Sequence, residues 1–197
     1  LTDDSELFAR AVVMSGAYEG RIRRHFPHGD PPVATDLDLP LFSFRMDEIR
    51  AALLRAELDR LPIRLKCFRA NYDYVAAALA DVTEIEIRQP VAPGAYLGEA
   101  FIFRVPDGDA KWFTRALCRE GIEARNIGSD EDDNVRAFWN WRFLFANADI
   151  PTIQAMLPNA TRYLQQTVDV PLSSALSVED CDDLVAAVRR VARASRR

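Results

Sequence analysis

Phe101-Ile102-Phe103-Arg104-Val105 is followed by Pro106-Asp107-Gly108-Asp109, then by Ala110-Lys111-Trp112-Phe113-Thr114-Arg115-Ala116-Leu117-Cys118-Arg119, and closed by Glu120-Gly121-Ile122. The first five residues combine β-branched and aromatic types, as a strand does. Pro-Asp-Gly-Asp is turn chemistry. Ala110–Arg119 predicts a helix, and Gly121 suits the left-handed residue that ends one. Strand, turn, helix and strand in one run set the fold class of this half as a small α+β domain.

Outward on the carboxyl side, Ile122 to Ile127 predicts a third strand, and residues 128–165 read as irregular and aromatic. Thr167 to Leu172 predicts a short strand. Ser177 is placed to cap a last helix, with Asp180 at its third position, burying Cys181, Leu184, Val188 and Val191. On the amino side, Val82, Ile85 and Ile87 predict a strand before Pro90. Asp47 to Leu61 predicts a helix on the 3/4 spacing of Ile49, Ala52, Leu53, Ala56 and Leu58, stopped by Pro62. A second helix is expected over 63–79, with Leu65, Phe68, Tyr72, Val75 and Leu79 on one side. Thr2-Asp3-Asp4-Ser5-Glu6 opens a helix with acids in its first turn. Residues 17–40, rich in proline and glycine, read as a long loop of the kind that covers a site.

The 197 residues suffice for a real core, and the net charge of −5 gives no support for nucleic-acid binding. No apolar run approaches the roughly 20 residues of a membrane helix. No charged-then-apolar leader is present, so a cytoplasmic location is expected. Cys67, Cys118 and Cys181 show no paired spacing, and each is expected to be reduced and buried. The arginines at 189, 190, 193, 196 and 197 read as a solvated helix end. His25 and His28, with Asp30, Asp36 and Asp38, lack a metal-ligand spacing, and no metal is expected. Asp130-Glu131-Asp132-Asp133 lacks the glycine and bidentate glutamate of a calcium loop.

Four segments in order, Thr2–Leu7, Phe42–Leu61, Phe101–Ala124 and Val168–Asp180, resemble the sugar aminotransferase family of fold-type-I pyridoxal-phosphate enzymes. The resemblance implies an α/β fold overall, with this chain as the end of the large domain plus a small carboxyl-terminal α+β domain. The division expected is 1–62, the end of the large domain with its loop and interface helix, and 63–197, the small domain. The implied function is part of an enzyme that aminates a keto-sugar or ketocyclitol from an amino-acid donor.

The family reads Gly-aromatic-Asn-aromatic-Arg-Met before the long helix, where this chain has Leu41, Phe42, Ser43, Phe44, Arg45 and Met46. There the segment reaches across a dimer interface to the cofactor phosphate, so the resemblance implies Ser43 and Arg45 as cofactor contacts; a rigid fork of donors suits a phosphate. The same residues could instead cap the helix and pair with Asp47 or Glu48. Tyr18, Arg21 and His25 fall in the loop that the family places at the active-site mouth, and Tyr18 and Arg21 are candidate substrate contacts. So are Arg136, Trp139 and Trp141, in the block Asn134–Leu144, by stacking and forked hydrogen bonds; the alternative is an aromatic mini-core edged with arginine. Arg125-Asn126-Ile127 stands where many members have a His-Tyr pair, which puts a nucleotide-sugar in doubt.

The family's cofactor lysine precedes the segment matching Leu1, and neither Lys66 nor Lys111 has a motif around it. No catalytic residue is therefore expected in this chain. A partner polypeptide with the large domain and lysine is expected, in a homo- or hetero-oligomer. A split enzyme, a cut precursor and an interior piece of a longer protein all fit the opening Leu1-Thr2-Asp3-Asp4. The alternatives are a non-catalytic scaffold of the same fold and a dehydratase or epimerase on the same cofactor.

Overall fold

A computed structural model describes residues 2–8, 47–92, 94–129, 134–145 and 147–196. The chain divides into two compact units, Leu1–Glu48 with Ser129–Thr161, and Ile49–Gly128 with Arg162–Arg197.

The second unit is built on an antiparallel sheet of β1 (Glu86–Ile87), β2 (Ala100–Arg104), β3 (Arg125–Asn126) and β4 (Thr167–Pro171), in the order β1-β2-β4-β3. β2 faces β4 in the register Phe101↔Val170 and Phe103↔Val168. These four side chains share one face and are buried, as the period-2 alternation requires. Ile102, Arg104, Thr167 and Asp169 lie on the other face.

Helix α1 (Glu48–Ala78), α2 (Ala110–Arg119) and α5 (Val178–Ala194) contribute to the same core. α2 buries Ala110, Phe113 and Leu117, and α5 buries Cys181, Leu184, Val188 and Val191. The caps expected from sequence at Gly121 and Ser177 are present, and Asp109, read as a turn residue, adds another. Asp109 accepts from the Trp112 N–H at 3.0 Å. Gly121 has φ 86°, and its N–H reaches the Cys118 carbonyl at 3.1 Å. Ser177 Oγ accepts from the Asp180 N–H at 3.2 Å, while Asp180 Oδ2 accepts from the Ser177 N–H at 2.8 Å. Residues 5–8 are helical, with Asp4 Oδ1 accepting from the Glu6 N–H at 2.9 Å.

Several expectations are corrected. The stop at Pro62 does not occur: α1 runs through it as one 31-residue helix. Proline removes one intrahelical bond, and the apolar spacing does not break there. Leu54, Leu58, Leu61, Leu65, Phe68, Tyr72, Val75 and Leu79 follow one another at 4/3 spacing across the proline, one continuous helix face. The first and third expected strands shrink to two residues each, because β1 pairs only with Arg104 and Phe103, and β3 only with Asp169 and Val168. The 128–165 region contains α3 (Ile150–Met156) and α4 (Pro158–Gln166). Cys181 is buried as expected, but Cys67 is half-buried and Cys118 exposed.

The basic tail is more than a solvated end. Arg189 forks onto Asp81 at 2.6 and 3.0 Å, Arg190 pairs with Glu120 at 2.7 Å, and Arg196 pairs with Glu84. The Arg189 hydrogen bond holds Asp81 below the usual carboxylate range, and the Ser177 N–H does the same for Asp180. A carboxylate depressed in the folded state stabilises above its unfolded pKa of about 4, and that contribution is lost as pH falls through the folded value. Thermal midpoints should therefore be flat from neutral pH down to about 5 and fall below about 4. Asp81→Asn and Asp180→Asn together should flatten that acid limb, which scanning calorimetry across pH would read. Among the described residues, no helix is long and apolar enough to cross a membrane.

Candidate functional site

The aromatic block lies in the first unit, where asparagines do the work that a ladder does elsewhere. Asn134 Nδ2 donates to Ser129 O and Oγ at 3.2 Å. Asn140, 5% exposed, donates through Nδ2 to Asn134 O at 3.0 Å. These bonds hold a 3₁₀ turn at Phe138–Asn140, and buried amides require such partners. Trp139 is 2% exposed and packs edge-to-face on Phe138 at 5.2 Å between centroids. Its ring is therefore packed rather than presented to solvent. Trp141 is half-buried, stacks on Phe143 at 6.2 Å and donates through Nε1 to Val135 O at 2.7 Å. Arg136 is exposed. The segment is thus a small aromatic core with a cation and a half-covered indole at its surface. α3 follows, capped by Asp149 Oδ1 accepting from the Thr152 N–H at 2.9 Å.

Tyr18, Arg21, His25, Ser43 and Arg45 lie outside the described residues, as do His28 and the Asp130–Asp133 run. Among the described residues, no group of three histidines, cysteines or carboxylates could hold a metal ion.

At the place of the family's His-Tyr pair, the side chains are engaged locally. Arg125 pairs with Glu123 at 2.5 Å. Asn126 Nδ2 donates to Gln165 O and Thr167 O, each at 2.9 Å, and so ties β3 to the start of β4. One cluster that sequence reasoning missed lies in the second unit. Arg104 pairs with Glu86, donates to Gln166 Oε1 at 3.2 Å and lies 4.1 Å over the Tyr163 ring. It lines a hollow of about 320 Å³ with Arg88, Ile102 and Thr167. The register Glu86↔Arg104↔Thr167 assembles it, and cross-strand register was not readable before the pairing was known.

The cofactor implied by the resemblance needs a lysine amine, a partner for the ring nitrogen and a phosphate cradle. The described residues do not fit it. Lys66 and Lys111, the two lysines of the sequence, are exposed on α1 and in the first turn of α2.

Three solved structures show where such a fold belongs. The sugar aminotransferase Spr1654 from Streptococcus pneumoniae, in its PLP-form, matches with a TM-score of 0.63 at 17% identity, covering 98% of this chain and 45% of that one. PseC of Helicobacter pylori, an aminotransferase involved in pseudoaminic acid biosynthesis, matches at 0.58 and 16%, covering 98% and 48%. The Escherichia coli GDP-4-keto-6-deoxy-D-mannose-3-dehydratase matches at 0.54 and 16%, covering 95% and 49%. At these identities the likeness is one of fold, fold type I, and the chain spans about half the length of the solved relatives it matches. The model of the DegT/DnrJ/EryC1/StrS aminotransferase family matches residues 1–189, and the chain belongs to that family of pyridoxal-phosphate enzymes.

Proposed function

We propose that this chain supplies the small-domain portion of a pyridoxal-phosphate aminotransferase that moves nitrogen from an amino-acid donor to a keto-sugar or ketocyclitol. The family match over residues 1–189 carries the reading. Two of the solved relatives are named as aminotransferases, one of sugars. The lysine and the cofactor cradle come from the half of the fold that this chain does not span. Ser43 and Arg45 would reach the cofactor phosphate as a hydroxyl and a forked cation. Tyr18, Arg21, Arg136 and Trp141 would line the substrate wall. Trp139 belongs to the same segment, packed on Phe138 behind that wall.

The test is reconstitution. The chain is mixed with a lysine-bearing large-domain polypeptide and pyridoxal phosphate. A shift of the cofactor absorbance and transfer of labelled nitrogen to a keto-sugar are expected. No complex and no shift would support a scaffold instead. The dehydratase among the relatives motivates the second reading; in that case the sugar product would lose an oxygen and gain no nitrogen.

A further inference from the structure

The chain leaves the second unit after Gly128 and re-enters it at Arg162, and the two passages meet inside that unit. The returning passage is the end of α4, whose last carbonyls have no partner within the helix. Asn126 Nδ2 donates to Gln165 O, and the Val105 N–H donates to Gln166 O, each at 2.9 Å. Just beyond the helix, Thr167 O accepts from Asn126 Nδ2 at 2.9 Å and from the Ile127 N–H at 3.1 Å. Gly128, next along the outgoing passage, is buried. A Cβ there would stand 2.5 Å from Gln165 N and from Leu164 C, about 1 Å inside ordinary contact. Both are backbone atoms of α4, so the two passages can touch only because residue 128 has no side chain.

Hydrogen bonds carry this stem into the aromatic block. Ser129 follows Gly128, and its O and Oγ both accept from Asn134 Nδ2 at 3.2 Å. Asn134 Oδ1 in turn accepts from the Arg136 N–H at 3.2 Å, and Asn134 O accepts from buried Asn140, the neighbour of Trp141, at 3.0 Å. The residue next to Gly128 is thus bonded directly to the backbone that carries Arg136 and Trp141.

We propose, on the substrate-wall reading above, that Asn126 and Gly128 are positioning residues for the keto-sugar. They clamp the outgoing chain onto the end of α4, and the clamp sets where Arg136 and Trp141 stand. Neither touches the substrate. A misplacement of about 1 Å at a substrate contact can cost about 100-fold in rate, and a methyl group at position 128 forces a shift of that size. The donor half of the reaction does not use this wall and is left alone.

The test compares Gly128→Ala in the full chain with Gly121→Ala, where a Cβ meets nothing within 4 Å. Amide hydrogen exchange over residues 134–145, measured against the exchange of β2 in the same molecule, should quicken at least about 10-fold in Gly128→Ala and stay unchanged in Gly121→Ala. Asn126→Asp keeps the volume and removes both donations. It should quicken the same amides, and it serves if the glycine variant fails to fold. In the enzyme assembled with its lysine-bearing half and pyridoxal phosphate, kcat/KM for the keto-sugar should fall about 10–100-fold, through KM. The change in cofactor absorbance driven by the amino donor alone should keep its rate. A merely structural loss would lower both halves together. Unchanged exchange over 134–145, or equal losses in the two halves, overturns the clamp and leaves the proposed function standing. No transfer to a keto-sugar by the unaltered enzyme overturns the proposed function and the positioning role with it.

Discussion

Phe103→Ala should lower the stability of the chain by about 3–5 kcal/mol. Phe103 is fully buried on β2. Its ring meets Phe101 at 5.6 Å and Phe113 edge-on at 5.5 Å, joining the sheet to α2. Truncation leaves a hollow between two rigid elements that cannot collapse into it. Domains of this size have only about 5–15 kcal/mol in total, so the urea midpoint should fall by a large fraction of its value. A loss below about 1 kcal/mol would mean that the second unit is not packed around β2.

Gly98→Ala is the second large effect. Gly98 has φ +85°, where a side chain is strained, and a Cβ there would sit 2.7 Å from Phe68 O and 3.0 Å from Arg69 N. Those are backbone atoms of α1, which cannot turn aside as a side chain can. The connection from β1 to β2 is also tied down nearby, since Arg69 donates to Tyr96 O and Gly94 O at 3.0 Å. Strain of about 1–2 kcal/mol from the dihedral adds to the displacement, so about 2 kcal/mol or more is expected. Gly121 is the internal control. Its φ is +86°, but nothing lies within 4 Å of a Cβ placed there, and Gly121→Ala should lose about 1 kcal/mol. Equal losses at the two sites would remove the steric argument. Chemical denaturation of both variants decides it.

These sites also show which parts of the fold were legible. β2, its turn, α2 and Gly121 were readable because each signal is local: alternation, a turn tetrapeptide and a cap within a few residues. The Ser177/Asp180 capping box is the same kind of feature. Helices α3 and α4 lie in the stretch read as irregular, and each carries a proline, Pro151 and Pro158. Both stand in the first turn of their helix, where a missing N–H costs nothing. Pro62 was misread in the opposite direction: the rule that proline ends helices lost to a continuous apolar face. The edge strands were overestimated because their length is set by the partner strand.

The candidate site was less legible still. The sequence pattern around Trp139 and Trp141 left both a ligand wall and a mini-core open, and burial put Trp139 inside and Arg136 outside. The Arg104–Tyr163 pair joins residues 59 positions apart, which no spacing rule reaches. The cofactor contacts inferred for Ser43 and Arg45 depend on a partner surface that no reading of this chain contains.

A 31-residue helix is a rod of about 46 Å. Its carboxyl end is set in the core through Tyr72, Val75 and Leu79, while none of its residues before Pro62 is buried. Tilting this rod by about 5° about its buried end would swing the other end by about 4 Å, a lever anchored in the sheet's core. The weakest point of the lever is Pro62, where the Leu58 carbonyl has no i+4 donor to receive. Bending there would let the arm follow whatever grips it while the sheet stays still, so the residue that looked like the end of a helix is placed as its elbow.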